Sequence, residues 1–105
     1  MRKFALAVAL TAIPALAMAQ GPAVISAFMD AHHMMMHDMD AVQATGDADK
    51  DFVALMMPHH SGAIDMAKVE LQYGKDATLR AMAQEIIASQ QKEIDDMKKW
   101  QATHP

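Results

Sequence analysis

The sequence predicts an all-α fold, an antiparallel bundle of three main helices. Three observations carry that reading. Apolar residues recur at spacings of three and four through three long segments, and no stretch alternates with period two. Turn-forming residues divide the interior at only two places, Gly46-Asp47 and Gly74-Lys75-Asp76. Both connections are short, which makes consecutive helices antiparallel neighbours.

The first helix is expected from about Pro22 to Thr45, the second from about Asp49 to Tyr73 and the third from about Ala77 to Ala102. In the first, Ile25, Phe28, Met29, His32, Met35, Met36, Met39 and Val42 form the stripe. The second offers Phe52, Leu55, Met56, His59, Ala63, Met66 and Val69 or Glu70, and the third Leu79, Met82, Ala83, Ile86, Gln90, Ile94 and Met97. Gly46 and Gly74 suit the left-handed position just past a helix end, and Asp49 and Asp76 suit the caps of the helices that follow. Pro58 either kinks the second helix or sits in the first turn of one that begins there.

Ahead of these segments, Arg2 and Lys3 precede the apolar run FALAVALTAIPALAMA, and Ala17-Met18-Ala19 is a small-x-small cleavage site. Residues 1–19 read as a secretory signal peptide, with residues 20–105 left as a single helical metal-binding domain. The run from Phe4 to Ala19 is shorter than the ~20 residues a spanning helix needs, and Pro14 interrupts it. The alanine-rich leader points to bacterial export and a periplasmic or secreted protein. No membrane span is expected after cleavage.

Once the leader is removed, seven basic residues face thirteen acidic ones, a formal charge of −6. That balance argues against nucleic acid and favours cationic ligands. There is no cysteine, so neither a disulfide nor a thiolate ligand is available. Ten of the twelve methionines lie beyond the leader. Thioether sulfur does not form cross-links in an oxidising compartment, although it can oxidise to the sulfoxide.

Methionine and histidine gather in two clusters. Met29 to Asp40, MDAHHMMMHDMD, holds five methionines and three histidines in twelve residues, and MMPHHSGAIDM from Met56 to Met66 repeats the chemistry. Thioether is a soft donor that selects Cu(I), and imidazole suits copper as well. Methionine is also a flexible filler of apolar cores, the role expected of Met82 and Met57. If the first hairpin turns near Gly46, facing residue numbers sum to about 95, which sets His60 opposite Met35, His59 opposite Met36, Met56 opposite Met39 and Met66 opposite Met29. A sum of about 150 for the second hairpin puts Gln90 opposite His60, as its polar partner, and Glu93 opposite Met57. Three helices would then surround one Met/His cavity, with Met97 a turn further along.

The first helix carries two stripes of different character. Met29, His32, Met36 and Met39 are soft, whereas Asp30, His33, His37 and Asp40 are harder donors. His33 and His37, four residues apart, suit chelation of Cu(II) or Zn from one helix face, or form a solvated face with no ligand role.

The segment DFVALMMPHHSGAIDMAKVELQYGKDATLRAMAQEIIASQQKEIDDMKKW, residues 51–100, resembles a block of a bacterial exported domain-of-unknown-function family with a ferritin-like helical fold. Its most specific elements are Pro58-His59-His60 followed by Ala63 and Met66, and Gln91-Lys92-Glu93-Ile94 with Met97 and Trp100. Similarity to the copper-binding CopM-type members implies periplasmic copper binding in resistance or homeostasis, with His59, His60, Met66 and Met97 at motif positions.

Enzyme chemistry finds little support in these residues. A di-iron centre needs Glu-x-x-His pairs, but Tyr73, Ala88 and Asp96 stand three residues after Glu70, Glu85 and Glu93. There is no cysteine nucleophile, no glycine-rich phosphate loop and no haem-attachment motif. The expected function is a non-enzymatic periplasmic copper binder. It captures Cu(I), with Cu(II) or Ag(I) as further candidates, for buffering, resistance or transfer to a periplasmic copper acceptor or from a donor protein. Expected ligands come from His59, His60, Met56, Met66, Met97, Met29, His32, His33, Met36, His37 and Met39. The rival is an interaction module whose Met-rich face packs a partner helix or a second copy. Leucine at Met35, Met36 and Met39 would leave that role intact, because burial and not sulfur would matter. Homo-oligomerisation suits either reading.

Overall fold

A computed structural model of the protein describes residues 15–105, with side chains from Gly21 onward. The expected leader, residues 1–19, lies outside the described residues except for its last five. Three helices, α1 (Ala15–Asp40), α2 (Ala48–Tyr73) and α3 (Ala77–Ala102), account for the described fold, and no strand occurs among the described residues. None of them is long and apolar enough to cross a membrane.

α1 runs past the expected start through Pro22 and stops at Asp40, short of the expected Thr45. Its last turn tightens as Val42 N–H donates to the Met39 carbonyl at 3.1 Å. The reason for the early stop is the capping structure of α2, which claims the Thr45-Gly46-Asp47 segment. The Asp51 carboxylate accepts from Thr45 N–H and Thr45 Oγ1, both at 2.8 Å, and from Gly46 N–H at 3.1 Å. These bonds, that of the Thr45 amide first, hold the Asp51 carboxyl below the usual carboxylate range. Gly46 has φ +81°, which a residue with a Cβ adopts only at a cost. The cap itself is Asp47, accepting from Lys50 N–H at 3.0 Å, and not Asp49, which falls in the first turn beside the helix dipole.

α2 continues as one helix through Pro58, so a helix beginning at that residue is excluded. It ends at Gly74, which sits at φ −69° in extended backbone and not in the left-handed region expected of it. The terminal carbonyls are met from the next helix, because Arg80 Nη1 donates to the carbonyls of Leu71 at 2.7 Å and Gly74 at 3.0 Å. Asp76 caps α3 as expected, accepting from Leu79 N–H at 2.9 Å.

α2 is the central element. It packs against both α1 and α3, while α1 and α3 make no Cα approach within 8 Å among the described residues. The expected enclosure of one cavity by all three helices is therefore corrected to two separate seams. The α3 stripe read in the sequence holds, with Ala83 and Ile94 buried, whereas the α2 seam lies about one residue around the helix from the stripe read there. On α1 the buried side is Ala31 with half-buried Val24, Phe28, Met35, Met39 and Val42, while Ile25, Met29, His32 and Met36 are exposed. On α2 the buried residues are Val53, His60, Gly62, Ile64, Ala67 and Val69. The cause is close packing through small residues. A Cβ placed on Gly62 would lie 2.8–2.9 Å from the Cβ, Cγ and Sδ of Met35, so the helices approach where no large side chain marks the contact.

Candidate metal centre

The second seam builds the most chemically distinctive site. A cleft of about 280 Å³ between α2 and α3 is lined by Phe52, Met56, His60, Glu93, Asp96 and Met97. Met56 and His60 are one turn apart on α2, and Glu93 and Met97 are one turn apart on α3. Antiparallel packing sets the two pairs side by side. His60 is the one buried polar or charged residue among the described side chains, at 7% exposure. Its Nε2 donates to the Glu93 carboxylate, and its Nδ1 is buried with no hydrogen-bond partner.

Those two facts define the imidazole. A carboxylate oxygen accepts from Nε2–H, so in the neutral form of the ring a lone pair is left on Nδ1. A buried nitrogen without a partner costs about 1–3 kcal/mol, a cost that a Lewis acid at Nδ1 would remove. Carboxylate support of one ring nitrogen while the other ligates is the usual outer-shell arrangement of metal-binding histidines. Two thioethers beside such an imidazole favour soft transition ions over magnesium or calcium. Asp96 contributes less to the site, since Lys92 Nζ holds it at 2.8 Å and that hydrogen bond and charge keep its carboxyl below the usual range.

Glu93, and not Gln90, is the partner of His60. The expected register differs from the observed one by a single turn, and the expected pairing of Gln90 with His60 is corrected accordingly. Glu93 is 33 residues from His60, and its signal in the sequence was a carboxylate one turn before Met97 on the third helix.

The remaining candidates are distributed elsewhere. His59 is exposed, because it and the buried His60 are successive residues of one helix, whose side chains point about 100° apart. Met66 lies about six residues further along α2, in an apolar groove of about 330 Å³ with Met82, Leu79, Ile86 and three alanines. Met82 is 53% exposed there, not in the core where it was expected, and Met57 is half-buried. On α1, Met29, His32 and Met36 are exposed along one flank of the α1–α2 seam, and Met39 is half-buried in it. Asp30, His33, Met34 and His37 line an open hollow on α1. Among the described residues no three His, Asp or Glu side chains gather at metal-ligand geometry, so a centre in this fold draws on methionine sulfur.

Comparison with known proteins adds family but not activity. The family model described as "Domain of unknown function (DUF305)" matches residues 10–101. The chain is similar to "Uncharacterized protein L153" of Acanthamoeba polyphaga mimivirus, 45% identical over 49 residues, which is 47% of this chain and 32% of the viral protein. The chain thus spans about a third of the length of that relative.

Proposed function

The chain belongs to the DUF305 family, and we propose that it is a copper-binding member acting in the periplasm, where it captures Cu(I) to buffer it, to confer resistance or to hand it to a partner protein. The observation that carries this reading is the cleft lined by Met56, Met97, His60 and Glu93, where His60 is held through Nε2 by the Glu93 carboxylate and keeps an unpartnered Nδ1. Met29, His32 and Met36 on the open flank of α1 serve as the collecting face, exchanging the ion ligand by ligand. The likeness of residues 51–100 to CopM-type proteins supports this reading, as does the signal-peptide pattern in the sequence of residues 1–19. The role is binding and transfer without turnover, because thioether ligation favours the reduced ion.

A competition titration of the protein with Cu(I) against a chromophoric chelator tests the reading. Replacing Met56 and Met97 with Leu, which keeps the volume, and separately His60 with Asn, is expected to weaken Cu(I) affinity at least tenfold in each variant. Affinity within twofold of the parent in both would overturn the cleft as the site.

One observation favours the rival reading of an interaction module. Leu79, Met82 and Met66, 49%, 53% and 44% exposed, line one apolar groove between α2 and α3, a contiguous apolar surface of the kind that partners cover. Under that reading the Leu variants capture no less copper than the parent, because neither binds it appreciably.

A further inference from the structure

With α1 and α3 on nearly opposite sides of α2, the described residues form a layer one helix thick. Gly62, which meets Met35 of α1, is turned about 160° around α2 from His60, which meets Glu93 of α3. Such a layer has two faces, and here they differ in character. At about 100° per residue, Ile25, Met29 and Met36 are turned from Met35 in the same sense as Phe52 and Met66 are from Gly62, and in antiparallel neighbours an equal sense of rotation means the same side. Met66 in turn shares one groove with Leu79, Met82 and Ile86 of α3. Among the described residues, every exposed large apolar side chain except Met34 therefore lies on this side of the layer. The opposite side shows Ser61, Lys68 and Gln72 of α2 and Gln84, Gln91 and Asp95 of α3, all exposed.

We propose that the apolar side pairs with the same side of a second copy of this chain, two layers three helices wide closing over a shared core. Stable domains pack one layer on another, and no large side chain among the described residues is fully buried within the single layer. Area selects the occupant. Helices of 26 residues are about 39 Å long and lie about 8–10 Å apart, which gives the face roughly 800–1,000 Å². A standard dimer buries about 800 Å² per partner, whereas one docked helix, about 10–12 Å across, would cover less than half of such a face. The inference rests on burial and does not depend on the Cu(I) reading. Under that reading Met29, Met36 and the mouth of the α2–α3 cleft share this face, so capture proceeds from the monomer in exchange with the dimer.

The test is sedimentation velocity of the protein over micromolar concentrations, with a chelator present so that no metal bridges two copies. A species of twice the chain mass is expected. Leu79→Glu with Met82→Glu, and separately Ile25→Glu with Met29→Glu, should each raise the dissociation constant at least tenfold, because pairing would bury unpartnered charge. Gln84→Glu with Gln91→Glu, the same charge change on the opposite side of α3, should leave it within twofold. All six residues are exposed, and unchanged circular dichroism of each variant would confirm that the layer itself is intact. A parent that stays monomeric throughout would overturn the pairing, and so would a monomer that binds phosphatidylcholine vesicles through this face. Dimers unaffected by both apolar-side variants would overturn the assigned surface. Loss of Cu(I) affinity in the Met56/Met97 variant with the dimer intact would bear on the cleft and leave the pairing supported.

Discussion

At Gly62 the first two helices come close enough that a single methyl group would collide with Met35. Alanine is intrinsically better than glycine inside a helix by about 1 kcal/mol, so a stabilising effect of Gly62→Ala is the expectation from propensity alone. The contact reverses it, because overpacking of this kind costs about 1–3 kcal/mol. Gly62→Ala is expected to lower stability by about 1 kcal/mol in urea denaturation, and adding Met35→Ala should recover part of the loss. A Gly62→Ala protein more stable than the parent would show that Met35 moves aside freely. The same residue shows what the sequence could not display. Glycine and alanine carry little hydrophobic weight, so a seam built on Ala31 and Gly62 is overlooked in favour of the conspicuous methionines beside it. His60 and Met97 were legible because their donor chemistry is unusual. Glu93 was not identified as the partner of His60, because an acidic residue on an exposed helix looks like any other until the facing helix is in place.

The elements themselves were largely legible in the sequence. Glycine and aspartate punctuation located both connections, and the hairpin estimate placed facing residues within a turn, with Met35 at Gly62 and His60 at Glu93. The end of α1 was less legible, because a side chain of α2 decides it, whereas α2 ends at Tyr73 as read. Thr45 and Gly46 are claimed by Asp51, and the end of α2 is held by Arg80 from α3. A guanidinium bonding two otherwise orphaned carbonyls contributes about 1.5–3 kcal/mol per charged hydrogen bond at most, and less where half-exposed. Arg80→Met, which retains the aliphatic stem, is expected to cost about 1–2 kcal/mol and to loosen the α2–α3 connection. Chemical denaturation together with amide exchange at Gly74 and Lys75 measures both effects. A loss below about 0.3 kcal/mol, within the range of an ordinary surface change, would assign the Arg80 contacts no structural weight.

For the molecule as a whole, the arrangement is two seams sharing one helix. Periodicity establishes that each helix has an apolar side, but it does not establish whether the first and third helices meet, which is why enclosure of one cavity was expected and two seams are found. α2 is supported on two sides and α1 on one, so local stability should differ along the chain. Native-state hydrogen exchange is expected to protect α2 most and α1 least, by a factor of at least ten between their slowest amides. Uniform protection across the three helices would contradict this ranking. Both seams join helices adjacent in sequence, across residues 41–47 and 74–76. Loop closure is therefore cheap, and few contacts span a long stretch of chain. A chain that emerges N-terminus first can close the first hairpin before the third helix is available, and can then add that helix without reopening what has already formed.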